Sequence, residues 1–312
     1  MSNNRINILD TSSLIPGPFS TFLLEKHLNA TVMKIEDINQ PDPLINMRPT
    51  KNGIGLGYSV LNKNKSILRV DMRKDGVEKI KNEVMNSGLF IENFKPGRAF
   101  KLGIGFEDLI KVNPNLIYCS ISGYPTDHPM SGKSAHDLNI LSLSGYLDQQ
   151  TKLGQMTSFP PLLLADMFTA YHAAIRIMAS LLKNEHGIHL KISMYECFLE
   201  AMTFNNYPQL ELNKDFSSVD YIMSGGFPCY AMYQAKDGGN VAVAALEKPL
   251  WIDFCHHMVH EEWIDKQFEP KLMEKVASEM QKYDRCYWLN KDFDFCVTPV
   301  LSITESAKRK YV

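Results

Sequence analysis

The stretch RINILDTSSLIPGPFSTFLLEKHLNATVMKIE, residues 5–36, decides the fold class. RINILD (5–10) reads as a short buried strand, its apolar residues running together before the polar TSS. Pro18 then stands where proline opens a helix, since its fixed φ suits the first turn and its missing N–H costs no intrahelical bond. ATVMKIE (30–36) is the next strand. The alternation continues with SILRVDM (66–72) as strand, 75–86 as helix, GLFIENF (88–94) as strand, FEDLIKVNP (106–114) as helix and NLIYCSISGY (115–124) as strand. Strands separated by helices argue for βαβ units in one parallel sheet. The expected fold class is α/β, with a Rossmann-like, doubly wound large domain.

After about residue 185 the pattern changes. LKISMYECFLEAMTF (190–204) gives way to the polar NKDFSSVDYIMSGG (213–226), which reads as a connector. FPCYAMYQAKDGGNVAVAAL (227–246) holds two alternating runs around Asp237-Gly238-Gly239-Asn240, a hairpin signal because glycine supplies the positive φ of the turn. Two helical stretches, 249–263 and 269–284, and the strand-like FCVTPVLS (295–302) complete a second, smaller α/β unit. The domains expected are 1–200 (large), 201–224 (linker), 225–302 (small) and 303–312, a further short segment.

Composition narrows the function. With 45% hydrophobic and 22% charged residues, the 312-residue chain has material for a large core. Lys+Arg 33 against Asp+Glu 35 leaves no global basic field for nucleic acid or an anionic membrane, so a polyanionic ligand needs a local patch. The six cysteines form no CxxC pair and read as reduced thiols of a cytoplasmic protein. The longest apolar stretch, 160–182, carries Asp166, His172 and Arg176 and reads as a buried helix rather than a membrane span. Only MSNN precedes the first strand, which leaves no room for a signal or transit peptide, and the terminal KYV is no peroxisomal address.

Four motifs invite chemistry. The glycines of KNGIGLGYS (51–59) lack the dinucleotide spacing and a leading buried strand, so a flexible loop is expected. His256 and His260 lie one helical turn apart, but with no obvious third ligand a solvated helix face is favoured and no metal is expected. A basic set, Lys63, Lys65, Lys95, Arg98 and Lys101, surrounds Asn93, where a strand's carboxyl end meets a loop before a helix. Ligands of open α/β sheets gather there, and lysines meet phosphates as point charges, although ordinary surface lysines would look the same. Last come His136-Asp137, at the mouth of an apolar helix in SAHDLNILSLSG (134–145), and Asp166 in LLLADMF (162–168). Asp137 alone suits a helix start. Burial of Asp166 among leucines, Met167 and Phe168 would raise its pKa, and a histidine and a carboxylate poised differently are what removal and return of a proton require.

These segments resemble, in order, the class III CoA-transferase (CaiB/BaiF) superfamily, and within it the α-methylacyl-CoA racemases. The resemblance runs through residues 8–37, 92–124, HDLN, LLLAD, GGFPCYAMYQAKDGGNVAVAALEKPLW (225–251) and CVTPVLSITES (296–306). It implies an acyl-CoA thioester substrate, no cofactor beyond the CoA moiety, and a homodimer that in the family is interlocked. Lipid metabolism is the implied setting. His136 and Asp166 match the racemase pair and Glu247, in ALEKPLW, a carboxylate that serves the histidine. Lys95 and Lys101 fall where the family carries phosphate-binding basic residues; Asn93, Arg98, Asp137, Lys63 and Lys65 complete the expected CoA contacts. Backbone N–H groups at the start of the HDLN helix suit a developing enolate oxygen. Two features depart from the pattern: Ala135 replaces a glycine before the histidine, and family members continue beyond VLSITES, making 303–312 the start of a truncated return segment.

The expected function is interconversion of 2-methylacyl-CoA stereoisomers by 1,1-proton transfer through an enolate. A CoA-transferase acting through an Asp166 anhydride and a non-catalytic acyl-CoA-binding relative stay open beside it. Met167, Phe168, Tyr230 and Met232 could line an apolar acyl pocket or simply pack a core.

Overall fold

The structure, a computed structural model, describes residues 5–152, 161–216, 220–289 and 292–308. The chain divides into two compact units, Met1–Leu147 with Ser158–Pro208, and Asp148–Thr157 with Gln209–Val312.

The first unit contains strands β1 (Asn7–Asp10), β2 (Thr31–Asp37), β3 (Thr50–Lys51), β4 (Ile54–Gly55), β5 (Ser66–Val70), β6 (Leu89–Glu92), β7 (Ile117–Ser122) and β8 (Ile188–Ser193). Its helices are α1 (Pro16–Leu28), α2 (Leu56–Asn62), α3 (Gly76–Val84), α4 (Arg98–Leu102), α5 (Phe106–Val112), α6 (Asp137–Leu143), α8 (Leu164–Leu182) and α9 (Met194–Ala201). Between α6 and α8 comes α7 (Tyr146–Lys152), and α10 (Thr203–Leu212) follows α9; both cross from one unit to the other. Six strands form one sheet in the order β5-β2-β1-β6-β7-β8, every pairing parallel.

The alternation of side chains along these strands feeds two cores. Ile8, Leu89, Ile91, Ile117, Cys119 and Ile121 pack on one face with α1, α8 and α9 residues such as Leu24, Ile177 and Phe198. Their neighbours Leu9, Phe90 and Tyr118 pack on the other with Ile80 and Leu109 from α3 and α5. Covering both faces is the reason the strands read as continuous apolar runs. The chain leaves β1 for β2 on one side and reaches β6 on the other, so the switch point lies between β1 and β6.

One local expectation is corrected and one strand is added. KNGIGLGYS is not a loop: β3 and β4 pair as a hairpin turning at Gly53 (φ +78), and α2 starts at Leu56. Gly55 permits close packing there, since a Cβ would stand 2.0 Å from the Leu44 carbonyl oxygen. The sixth strand, β8, arises from IHLKIS, which the sequence pattern left unassigned.

The second unit carries a three-stranded antiparallel sheet in the order β11-β10-β9, from β9 (Tyr230–Gln234), β10 (Asn240–Ala244) and β11 (Val297–Pro299). The β9–β10 hairpin turns at Gly238 (φ +77), with the Gly239 N–H donating to Asp237 Oδ1 at 3.2 Å. Helices α11 (Lys248–His257), α12 (Met273–Met280) and α13 (Ile303–Lys308) complete it. Its core centres on Trp251, Phe254, Trp263, Val276 and Trp288. No helix among the described residues is long and apolar enough to cross a membrane.

Candidate active site

The carboxyl ends of the central strands build the site. Just past β1, the Ser13 N–H donates to Asn93 Oδ1 at 2.9 Å, and Asn93 Nδ2 returns a bond to the Ser13 carbonyl at 2.8 Å. Asn93, expected as a CoA contact, therefore clamps the loops after β1 and β6 across the switch point.

One cavity of about 470 Å³ opens here, lined by Ser13, Asn93, Lys95, Ile121, Ala135, His136, Asp137, Asp166 and Met194 among others. His136 and Asp166, thirty residues apart in sequence, thus share a single cavity. His136 precedes α6 in an extended conformation, and its N–H donates to Asn139 Oδ1 at 3.0 Å. Ala135 sits against Gly123, where a Cβ would come within 2.5 Å of the alanine methyl. The side chain gained at 135 is thus accommodated by one missing at 123.

Asp166 lies in the first turn of α8 and is only partly exposed. Burial, reinforced by the charge of Asp137, pushes its carboxyl up to about 7. Asp137 is itself buried, its pKa raised by desolvation, and Oδ1 accepts the Asp166 N–H at 3.2 Å. It caps a neighbouring helix whose first N–H groups have no partner of their own. Its Oδ1 is thus engaged with the start of α8, while the residue lines the same cavity as His136.

A second cavity, about 290 Å³, adjoins the first along Ser13, Asn93, Phe94 and Lys95 and continues over Lys34, Gln40, Pro41, Met72 and Arg98. Arg98 bonds Gln40 Oε1 and lies 5.5 Å from the centroid of the Phe94 ring. Lys95, exposed, lines both cavities. Of the other basic residues, Lys63 and Lys101 are exposed and line neither cavity.

Lys65 is a correction. It is buried, and its ammonium contacts Asp10 Oδ2 at 2.9 Å, the Pro18 carbonyl at 2.9 Å and Thr21 Oγ1 at 2.7 Å. All three ammonium protons are engaged inside the protein, which leaves none for a phosphate. Glu247 is exposed before α11 in the second unit. His260 pairs with Glu262 at 2.8 Å and Glu279 at 3.4 Å, and no three metal-binding side chains cluster among the described residues. Of the four residues suggested for an acyl pocket, Met232 and Phe168 are exposed, and none lines the cavity shared by His136 and Asp166. Ser13 and Gln40 were missed by sequence reasoning, although loops at strand carboxyl ends are where such residues are sought.

Residues 4–311 match the family described as CoA-transferase family III. The chain belongs to that family. A CaiB/baiF CoA-transferase family protein of Caenorhabditis elegans, ZK892.4, is 28% identical, with 96% of this chain and 86% of that protein covered. Mouse alpha-methylacyl-CoA racemase is 26% identical over 98% of this chain and 79% of its own length. Mouse succinyl-CoA:glutarate CoA-transferase is 31% identical, over 57% of this chain and 41% of its own. A crystal structure of a CAIB/BAIF family protein from Brucella suis superposes with a TM-score of 0.85 at 19% identity, covering 99% of this chain and 86% of that one, a likeness of fold. Family III thus supplies both isomerase and transferase relatives, and the chain is an enzyme of this transferase and racemase superfamily.

Proposed function

We propose that the protein is an acyl-CoA racemase or epimerase that interconverts 2-methylacyl-CoA stereoisomers. The observation that carries this reading is the presence of His136 and Asp166 on one cavity, with the carboxyl poised near 7. In one direction neutral His136 removes the α-proton and protonated Asp166 delivers a proton to the opposite face of the enolate. The reverse direction uses the imidazolium and the carboxylate. A group poised near 7 populates both forms at neutral pH, which a proton relay needs in both directions. Incubation with a 2-methylacyl-CoA in deuterated water tests this: the wild type should exchange the α-proton and invert the centre, and failure to do either on a panel of such thioesters removes the reading.

CoA would lie along the carboxyl ends of β1 and β6, with Lys95 and Arg98 meeting its phosphates. Lys95→Ala and Arg98→Ala should each raise KM for acyl-CoA by about fivefold to a hundredfold, the worth of a charge-assisted contact, while kcat changes little. Steady-state kinetics at two salt concentrations check it, since the loss should shrink as salt rises. Glu247 serving the imidazole, and a homodimer, belong to the same reading; the exposed apolar run Phe204, Tyr207, Leu210 and Leu212 on α10 is the surface such an interface would cover.

Asp137 sets the working pH. Asp137→Asn keeps an oxygen for the Asp166 N–H but removes the negative charge that helps hold the Asp166 proton. In the direction where Asp166 is the base, kcat/KM rises as pH passes upward through its pKa, so the midpoint should move below its wild-type position near 7. An unmoved midpoint would show that the titrating group is not Asp166.

The transferase reading has its own support in the succinyl-CoA:glutarate CoA-transferase likeness. There Asp166 carboxylate attacks the thioester carbonyl, CoA thiolate leaves, and an acyl-aspartyl anhydride remains for a second acid. A carboxyl poised near 7 serves either role, and proton transfer is preferred here because His136 lines the same cavity as a second proton carrier. Hydroxylamine during turnover distinguishes the two by trapping the anhydride.

A further inference from the structure

A third cavity, about 350 Å³, lies over β7 and β8 and is lined by neither His136 nor Asp166. Its walls are apolar, including Phe94, Ala99, Phe106, Tyr118, Ile121 and Ile192. Its floor is polar: Glu92, Ser120 and His189 come from three adjacent strands, with Glu92 beside Ser120 and Ser120 beside Lys191 in the parallel register. Ser120 Oγ stands 2.8 Å from His189 Nε2. The imidazole is held in place, stacked on Phe106 with centroids 5.0 Å apart and edge-on to Tyr118 at 4.9 Å.

The hydrogen inventory of the floor fixes what it offers a ligand. Glu92 is buried and Oε2 accepts the Phe94 N–H at 2.7 Å, while the hydroxyls of Ser120 and Tyr118 lie against the carboxyl. Tyr118 gives its proton to the Ile104 carbonyl at 3.1 Å, so towards Glu92 it can only accept. Burial raises the Glu92 pKa, which favours a proton on that carboxyl. Burial first, and then the charge of Lys191, lowers His189 to about 4, so the ring is neutral at physiological pH. Ser120 Oγ and His189 Nε2 share one hydrogen; in the tautomer where Ser120 donates it, the remaining imidazole hydrogen sits on Nδ1. That N–H has no protein acceptor among the described residues. Exposed Lys95 and Lys191 add two positive charges to the lining, against one exposed carboxylate, Glu196.

We propose that this cavity is a second ligand site, which takes a small monocarboxylate with an apolar body. The carboxylate accepts from His189 Nδ1 and pairs with Lys191 and Lys95, and the body lies among Phe94, Phe106 and Ile192. The apolar walls suit an apolar body better than a nucleotide or a polyphosphate. Phe94, Lys95, Pro96, Ile121 and Ser122 also line the cavity of His136 and Asp166, so an occupant here adjoins the reaction chamber. The site does not depend on whether that chamber carries out proton transfer or CoA transfer.

Calorimetric titration of the full chain with benzoate and with isobutyrate tests the proposal. At least one probe should saturate on the wild type and equally on Asp166→Asn, whose change lies in the other cavity. His189→Phe, which keeps the ring stack and loses the donor, should weaken binding by about tenfold or more, and Lys191→Ala by several-fold. The ring ¹⁵Nδ1 resonance of His189 should move when the probe is added. Absence of saturation by either probe overturns the site. So does binding that is lost in Asp166→Asn yet unchanged in Lys191→Ala, because that pattern puts the acid in the reaction chamber. Should His189→Phe fail to fold, Lys191→Ala, altered at an exposed position, decides alone.

Discussion

Racemisation of a 2-methylacyl-CoA should fall by about 10²–10⁴-fold in Asp166→Asn and in His136→Gln, the range that one general acid or base contributes. The two variants should fail differently. Without His136, the stereoisomer whose α-proton faces Asp166 can still lose it to the carboxylate and regain a deuteron from the same side, so exchange continues without inversion. Without Asp166, the other stereoisomer behaves this way. Deuterium uptake measured separately on each pure stereoisomer therefore reports which face each residue serves. KM should stay within about tenfold of wild type in both, because the groups removed act on the transition state rather than on the bound nucleotide. Racemisation at more than a tenth of the wild-type rate in either variant would contradict a two-base device. Loss of exchange from both stereoisomers in one variant would point to a single base.

How much of this could be read from the chain depends on distance along it. The parallel sheet was legible because each central strand is buried on both faces and so is a compact apolar run, as in Leu89–Glu92 and Ile117–Ser122. β8 was not: at the sheet edge it alternates, and its sequence IHLKIS follows a long helix without a marked break. His136 and Asp166 were legible as candidates because each breaks a local apolar pattern. Their meeting in one cavity depends on two loops converging beside the switch point, which no local pattern encodes. Lys65 misled for a related reason. In NKNKS it looks like a surface lysine, and its partner Asp10 stands 55 residues earlier at the end of β1. Glu92, Ser120 and His189 were unreadable for the same cause, since Ser120 and His189 are 69 residues apart and are joined only by strand register.

The Asp10–Lys65 pair carries the largest expected effect on stability. Lys65→Met should destabilise the protein by about 3–5 kcal/mol, the usual consequence of leaving one member of a buried ion pair alone. In the wild type, burial by itself would raise the Asp10 carboxyl. The charges of Lys65 and Lys34 and hydrogen bonds from Ser12 and Thr21 outweigh it and hold the pKa well below the carboxylate range. That stability is present above the ordinary aspartate pKa and is lost only as pH falls through the depressed one. Removing Lys65 leaves desolvation less opposed, so the carboxyl of Asp10 rises. The variant's deficit should then be largest at neutral pH and shrink towards pH 4, roughly where an unfolded aspartate also takes up its proton. Asp10→Asn together with Lys65→Met should recover most of the loss, since no unpaired charge stays buried. Urea unfolding is best followed by circular dichroism and by amide exchange in β1, because the three tryptophans, Trp251, Trp263 and Trp288, all lie in the second unit. A phosphate-binding Lys65 would behave in the opposite way, with stability within about 1 kcal/mol of wild type, as for an exposed charge, and KM for acyl-CoA raised. The buried geometry of its ammonium predicts the first pattern, and a cycle of the two single variants and the double variant measures the coupling directly.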